Sequence, residues 1–222
     1  MHLASPLIYG LFVNSFKFIN PCPQSNLMLT CRCIHNITLS VLSLSMLIGI
    51  SIANYQTNKF SSINSLLCDR YEPNWYLDIS TKTFLYSKYL EWFDTLFLHL
   101  SEKKISTLHY THHMSVAFLT YLNMIDYISP NIFICVWINC FVHTFMYWYF
   151  AFPKGFLFKY RKAITQIQIM QHIICILSIG YTFMLDNCEQ NKYGGLCGLY
   201  LYLMYLFYFS SFYLQSYFKK IN

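Results

Sequence analysis

Hydrophobic residues run in long blocks along the chain, from residue 7 to residue 218, with short polar interruptions between them. A helix needs about 20 residues, within a range of about 17 to 25, to cross the hydrocarbon core of a bilayer. The blocks are continuously apolar and lack the alternation of a membrane β-strand, so they predict helices. The predicted spans are Leu7–Ile19, which is short and carries Lys17, then Ile37–Ala53, Thr83–Leu100, Thr107–Ile125, Ile132–Phe152, Ala163–Leu185 and Leu196–Phe218. The pattern therefore predicts an all-α, multi-pass membrane bundle of seven helices.

The composition supports this prediction. Of the 222 residues 56% are hydrophobic and 11% are charged, whereas about 25% are charged in a soluble domain. We therefore expect one integral membrane domain over residues 1–222, without a separate soluble domain. Lys17 follows the first apolar stretch instead of preceding it, so the N-terminus lacks the order of a cleaved signal peptide.

The formal net charge of +6 raises the possibility of nucleic-acid binding. The basic residues lie between apolar blocks, however, as in membrane topology, so no nucleic-acid partner is expected. A cytosolic C-terminus places nine of them on the cytosolic side: Arg32, Lys103, Lys104, Lys154, Lys159, Arg161, Lys162, Lys219 and Lys220. The opposite side receives Lys59, Arg70, Lys82 and Lys192. The last four residues, from Lys219 to Asn222, resemble a di-lysine retrieval signal, which predicts the endoplasmic reticulum membrane.

Polar side chains within the predicted spans form four clusters. A central charge costs about 2.5–3.5 kcal/mol on insertion, so such residues usually face the bundle interior and are functional. The first cluster contains Lys88, Glu91, Asp94 and Thr95, mostly on one side of a helix. Lys88 precedes Glu91 by three residues and can pair with it. A structural ion pair between helices is the alternative to direct chemistry.

The second cluster is a set of three histidines at the start of the next span. His109, His112 and His113 occupy positions i, i+3 and i+4, so their imidazoles project from one face. Imidazole acts as a base, a metal ligand or a nucleophile near neutral pH. Three on one face of a membrane helix indicate a functional site.

The other two clusters are polar stripes in the following spans. Asn139, His143 and Tyr147 follow a helical stripe that also contains Met146 and Phe150. The last cluster consists of Thr165, Gln168 and Gln171. The two glutamine amides can bind a polar ligand or, as the alternative, join helices.

In this order, the four clusters resemble the motifs of the ELO family of very-long-chain fatty acid elongases, which are membrane-embedded 3-ketoacyl-CoA synthases. The matches are Lys88-x-x-Glu91-x-x-Asp94-Thr95 to KxxExxDT, His109-x-x-His112-His113 to HxxHH, Asn139-x-x-x-His143-x-x-Met146-Tyr147-x-Tyr149 to NxxxHxxMYxYY, and Thr165-x-x-Gln168-x-x-Gln171 to TxxQxxQ. The resemblance covers residues 82–218. Phe150 replaces the last tyrosine of the third motif and removes one hydroxyl.

The resemblance implies a ring of seven helices around a narrow tunnel for an acyl chain, closed at the lumenal end. It further implies condensation of a long-chain acyl-CoA with malonyl-CoA through an acyl-histidine, giving 3-oxoacyl-CoA, CO2 and CoA, without metal or cofactor. His112 matches the nucleophile, and His143 is its expected partner across the tunnel. Other residues are expected to support the nucleophile and the substrate. His109 and His113 would tune the nucleophile, and substrate oxygens would be held by Asn139, Tyr147, Gln168 and Gln171. The histidines would be supported, or the malonyl carboxylate managed, by Lys88, Glu91 and Asp94.

Several expectations concern partners. The basic edge either receives CoA phosphates or only sets topology, and its candidate residues are Lys103, Lys104, Lys159, Arg161 and Lys162. The resemblance also implies membrane lipid and the reductases and dehydratase of an elongation cycle as partners, and leaves a homo-oligomer open. Nine cysteines lack zinc-like spacing. On the lumenal side we hypothesise a disulfide between Cys68 and Cys188, with Cys197 left free.

Two other protein classes compete with this interpretation. A di-iron desaturase or hydroxylase also carries HxxHH boxes, but its family pattern implies about eight histidines in three boxes. Here the remaining histidines stand alone, at His2, His35, His99 and His172. A channel or transporter would have polar residues along a complete path, whereas these cluster in the cytosolic half.

Overall fold

The computed structural model describes residues 2–23, 25–124 and 128–218, and within these ranges every regular element is a helix. The α-helices are α1 (Ser5–Asn14), α2 (Asn26–Gln56), α3 (Ile63–Leu67), α4 (Trp75–Leu90), α5 (Trp92–Leu100), α6 (Thr107–Leu122), α7 (Pro130–Ala151), α8 (Arg161–Phe183) and α9 (Lys192–Tyr217). Short 3-10 turns lie at His2–Ala4, Ser15–Phe18, Lys59–Ser61 and Phe156–Tyr160. The all-α prediction is confirmed for the described residues. The predicted di-lysine signal and the predicted end of the fourth span at residue 125 lie outside them.

The second and third predicted spans differ most from the observed helices, and in the first, Leu7–Ile19, α1 ends at Asn14 and a 3-10 turn follows. Helix α2 begins at Asn26 rather than at Ile37, because Ser25 caps it by accepting a hydrogen bond from the Met28 amide at 3.3 Å. The predicted span Thr83–Leu100 is divided into α4 and α5 at Glu91. There the Asp94 amide donates to the Glu91 carbonyl at 3.1 Å, so the backbone tightens to a three-residue turn.

Four helical segments in the described part of the chain are long and apolar enough to cross a membrane. They are α2, α7, Phe156–Phe183 (which includes α8) and α9. The split of α4 from α5 and the 16-residue length of α6 leave these three shorter. Large apolar side chains such as Leu44, Trp148 and Phe207 point outward, as expected where lipid is the solvent.

The four long segments close into a ring together with α4 and α6. Helix α2 packs against α4 and α7, α7 against α8, α8 against α9, α9 against α6, and α6 against α4. Helix α1 packs against α6 and α5. Gly49 allows α2 to approach α4, because a Cβ atom there would lie 2.6 Å from the Ser80 hydroxyl oxygen. The ring therefore encloses an interior that is lined by residues of α2 and of α4 to α9.

One end of the ring is covalently fastened. A disulfide joins Cys68 to Cys188, and this observation confirms the hypothesised pairing, whereas Cys197 is free. Beside it, the buried Lys59 ammonium donates to the carbonyls of Asp69 and Arg70 at 2.7 and 3.0 Å. Burial lowers the pKa of Lys59. We call this region, where α2 ends, the clasped end, and the region where α2 begins the open end. Helix α2 has 31 residues, so the two ends are about 46 Å apart along it.

Candidate active site

A cavity of about 540 Å³ lies inside the ring toward the open end. Its lining includes all four histidines of the predicted motifs, His109, His112, His113 and His143. Helices α6 and α7 supply them from different sides of the ring. The structure thus brings the histidine box and the single histidine of α7 together around one space, which we call the wide cavity.

A second, narrow cavity of about 40 Å³ adjoins the first. Apolar side chains such as Phe84, Val116 and Leu119 form much of its wall. His112 and Gln171 line both cavities. These two side chains therefore stand where the wide, partly polar space meets the narrow, apolar one.

The histidines of α6 are placed by a helix cap and by contacts from α5. The Ser106 hydroxyl accepts a hydrogen bond from the His109 amide at 3.1 Å and begins the helix. The rings of His109 and His113 then lie 4.2 Å apart, centroid to centroid. Thr95 Oγ1 contacts His109 Nε2 at 2.9 Å, and the Trp92 indole N–H donates to the His113 carbonyl at 3.1 Å. This face of α6 is held in one orientation.

The His112 ring makes no hydrogen bond within the described residues, unlike the His109 ring, which contacts Thr95. His112 packs instead against Tyr205 and Phe209, at centroid distances of 4.9 and 6.4 Å. The Tyr205 hydroxyl is hydrogen-bonded to Ser115 Oγ at 2.6 Å and makes no hydrogen bond to the His112 imidazole. A neutral imidazole in this setting keeps a lone pair for a substrate carbon.

A buried charge network supports His143. The Lys88 ammonium donates to Glu91 Oε1 at 2.7 Å and to Asn139 Oδ1 at 3.1 Å, which confirms the predicted pairing of Lys88 with Glu91. His143 Nδ1 lies 3.3 Å from the same carboxylate oxygen. Lys88 and Glu91 are each 1% exposed. Because Glu91 engages Nδ1, the Nε2 atom of His143 is the nitrogen left for other partners.

Asp94 holds a second pair of side chains. Its Oδ1 lies 2.9 Å from His35 Nε2, and its Oδ2 accepts a hydrogen bond from the Tyr147 hydroxyl at 2.8 Å. Tyr147, expected to hold a substrate oxygen, therefore donates to Asp94. His35, expected to stand alone, is a partner of Asp94 that the sequence pattern missed, because α2 begins before the apolar block that predicted it.

The glutamines of α8 occupy the opposite wall. Gln168 Nε2 lies 3.2 Å from Met146 Sδ, and Thr165, Gln168 and Gln171 all line the wide cavity. Gln171 Oε1 is buried and has no hydrogen-bond partner among the described residues. His172 follows it and lines the narrow cavity.

The basic residues divide into two groups. Lys103 and Arg161 line the wide cavity, and Arg32 joins them from α2, where its guanidinium donates to the Ser101 hydroxyl at 3.2 Å. The other predicted cations lie away from this lining, with Lys159 over the Tyr160 ring, Lys162 over the Tyr213 ring, and Lys104 exposed. From the sequence, Arg32 was used only to predict membrane orientation, whereas in the structure it lines the wide cavity.

The possible metal ligands of residues 2–23, 25–124 and 128–218 are their His, Cys, Asp and Glu side chains. No group of three or more His, Cys, Asp or Glu side chains there is arranged to hold a metal ion. What the site offers is imidazole, amide, hydroxyl and cationic groups around an enclosed space. These groups suit acyl transfer, in which a nucleophile and hydrogen-bond donors act together.

Comparison with known proteins agrees with this geometry. The model of the ELO family, described as the GNS1/SUR4 family, matches residues 3–222. Fatty acid elongase sre1 of Dictyostelium discoideum is 29% identical over 190 residues, which cover 84% of this chain and 71% of the relative. Fatty acid elongase 2 of Trypanosoma brucei brucei is 30% identical over 199 residues, covering 82% and 72%. The matched range contains the residues of all four polar clusters.

Proposed function

Because this chain belongs to the ELO family, whose model it matches over residues 3–222, we propose that it is an acyltransferase of fatty acid elongation. It condenses a long-chain acyl-CoA with malonyl-CoA to 3-oxoacyl-CoA, CO2 and CoA. The observation that carries this proposal is the position of His112, an imidazole without a hydrogen-bond partner among the described residues, at the junction of the wide and narrow cavities.

The protein acts as a single domain of seven spans in the endoplasmic reticulum membrane, with its C-terminus in the cytosol. This orientation is supported by Arg32, Lys103 and Arg161, which gather at the open end, and by the disulfide at the opposite end. Acyl-CoA and malonyl-CoA enter from the cytosolic side. The product then passes to the reductases and dehydratase of the elongation cycle.

Substrate binding divides between the two cavities. The guanidinium groups of Arg32 and Arg161 and the ammonium of Lys103 receive the phosphates of CoA, since charge-assisted hydrogen bonds to phosphate are strong. The acyl chain occupies the narrow cavity and displaces its side chains as it enters. Each methylene buried there contributes about 0.8 kcal/mol.

In the first half-reaction, a ring nitrogen of His112 attacks the thioester carbonyl carbon. A C–N bond forms, the C–S bond breaks, and the proton lost from the imidazole leaves with CoA as its thiol. The product of this step is a neutral acyl-histidine. His143, which faces the same cavity with Nδ1 held by Glu91, moves the proton.

In the second half-reaction, malonyl-CoA loses CO2 and the electron pair of that bond becomes an enolate. The enolate carbon attacks the acyl carbon, the new C–C bond forms, the C–N bond to His112 breaks, and the imidazole takes up a proton from solvent by way of His143. Amides at Gln168 and Gln171 hold the carbonyl oxygens. We assign Lys88 a positioning role, because its ammonium already contacts Glu91 and Asn139.

The experiment uses radiolabelled malonyl-CoA, a panel of acyl-CoAs and isolated membranes containing the protein. We expect label in 3-oxoacyl-CoA with the wild type and background incorporation with His112→Ala. Equal incorporation by the two proteins would reject the proposal. Stoichiometric iron in the purified protein would favour the desaturase or hydroxylase class instead.

A further inference from the structure

His172 is a buried histidine that the motifs do not include. It lies in α8 directly after Gln171 and is 1% exposed. Its ring packs against Tyr202, Tyr205 and Phe209 of α9, at centroid distances of 6.0, 5.6 and 5.1 Å. Neither Nδ1 nor Nε2 has a hydrogen-bond partner in the part of the chain that the structure describes.

Packing alone does not account for an imidazole at this position. A buried polar atom left without a partner costs about 1–3 kcal/mol, and the ring contacts of His172 are those that a phenylalanine would make equally well. The buried Asn123 shows the usual arrangement, because its amide donates to the Leu119 carbonyl at 2.9 Å, whereas His172 has two partnerless ring nitrogens. The nitrogens of His172 are therefore available to hydrogen-bond a ligand that enters the cavity.

The surroundings of His172 identify which part of a substrate would reach it. His172, Gln171 and His112 line the same narrow cavity. His112 and His172 also share two aromatic neighbours, Tyr205 and Phe209. An acyl group attached to His112 thus has its first atoms beside His172. The cations assigned to CoA line only the wide cavity.

No described carboxylate lies within salt-bridge distance of His172. The ring is therefore neutral and carries one N–H donor and one acceptor nitrogen. Because the cavity wall is apolar, this N–H group can donate a hydrogen bond to one oxygen atom of the bound acyl group. The acyl group has one oxygen within reach of His112, the carbonyl oxygen that becomes negative as the carbon is attacked.

Resting on the proposed condensation, we propose that His172 is a further catalytic residue, whose N–H donates a hydrogen bond to the carbonyl oxygen of the acyl group held by His112. When the nitrogen of His112 attacks, the π electron pair of the carbonyl moves onto this oxygen. When the C–S bond breaks, the pair returns and sulfur leaves with the bonding electrons. The same donor serves when the enolate attacks and the C–N bond breaks. His172 keeps its proton throughout.

The test replaces His172 in the full-length protein in purified membranes. His172→Phe keeps the aromatic packing and removes both nitrogens, His172→Leu removes them with a smaller side chain, and His172→Gln keeps a donor. Ile174→Phe is the matched control, since residue 174 lies on α8 and is 38% exposed. For each protein, kcat and KM for acyl-CoA are measured together with thermal unfolding.

We expect His172→Phe and His172→Leu to lower kcat by about 10²–10³-fold, the loss seen when one oxyanion donor is removed, with KM changed less than about threefold. His172→Gln should retain at least about ten times the kcat of His172→Phe, and Ile174→Phe should match the wild type. A kcat of His172→Phe within about threefold of the wild type, or a rise in KM alone, would overturn the assignment.

Two further outcomes are decisive. If neither His172→Phe nor His172→Leu folds, the nitrogens of His172 are needed for folding, and the catalytic assignment is wrong. If the wild type itself forms no 3-oxoacyl-CoA, the proposed function fails, whereas an active wild type with an equally active His172→Phe rejects only the role of His172.

Discussion

The clasped end and the candidate site differ in whether their buried polar groups have hydrogen-bond partners. At the clasped end, the Lys59 ammonium is bonded to two carbonyls, and Asn54 accepts the Tyr71 hydroxyl at 2.7 Å. At the site, His113 Nδ1 and both nitrogens of His172 lack partners among the described residues. Each such atom costs about 1–3 kcal/mol. The difference indicates that the clasped end holds the frame, while the site keeps groups free for a substrate.

The largest loss of activity is expected on removal of the His112 imidazole. His112→Ala should lower condensation by at least about 10³-fold, because catalytic groups acting together lose most of their effect when one is removed. Its unfolding temperature should change little, since the ring makes no hydrogen bond in the described chain. Turnover with labelled malonyl-CoA and thermal unfolding measure the two effects. His99→Asn, at a ring that contacts the Ile19 carbonyl, is the histidine control, and an equal loss of turnover there would contradict the prediction.

The second prediction concerns two ion pairs associated with α4. Lys88→Met should destabilise the protein by about 3–5 kcal/mol, because it leaves Glu91 as an uncompensated buried charge. Lys82→Met removes the partner of Asp78 in a pair that is about 60% exposed, which contributes about 0–1 kcal/mol. Denaturant unfolding in detergent micelles compares the two variants. Equal stabilities would show that the charge network of the site is not buried in the membrane protein.

The disulfide provides the converse test at the clasped end. Replacing both Cys68 and Cys188 with serine should destabilise the fold by about 2–4 kcal/mol, as expected for a bridge that closes a long loop; here the sequence separation is 120 residues. Turnover per folded molecule should stay within about twofold of the wild type. A selective loss of turnover, with unfolding unchanged, would reverse the division of roles between the two ends.

The smallest expected effect is on CoA binding. Arg32→Ala, Lys103→Ala and Arg161→Ala should each raise the KM for acyl-CoA by about fivefold, since an exposed ion pair contributes about 1 kcal/mol at most. Lys104→Ala should leave it unchanged, because Lys104 is exposed and does not line the wide cavity. Steady-state kinetics at two salt concentrations measures both. An equal rise for Lys104→Ala would mean that the basic edge acts only through its total charge.

Helical periodicity and residue chemistry predicted much of this site in advance. The spacing of His109, His112 and His113 placed three imidazoles on one face, and the offset of three residues between Lys88 and Glu91 predicted their pairing; both are seen. These relations lie within one helix, or across the α4–α5 turn, so sequence spacing specifies them. The disulfide was predicted because topology left few cysteines on one side.

Other contacts escaped because they join residues that are distant in sequence. His35 and Arg32 precede the apolar block of α2, so hydrophobicity gave no reason to place them in the ring, and their partners lie on α5 and just after it. The break at Glu91 escaped because one apolar block covers both helices. His172 looked isolated in sequence, and only the packing of α8 on α9 sets it near His112.

If His112 carries the acyl group, the acyl-histidine can be trapped when malonyl-CoA is withheld. Purified protein is mixed with isotopically labelled acyl-CoA without malonyl-CoA, quenched, digested and mapped by mass spectrometry. We expect the acyl mass on the α6 peptide at His112, its loss on addition of malonyl-CoA, and its absence in His112→Asn. An acyl group on another residue, or full condensation by His112→Asn, would contradict it.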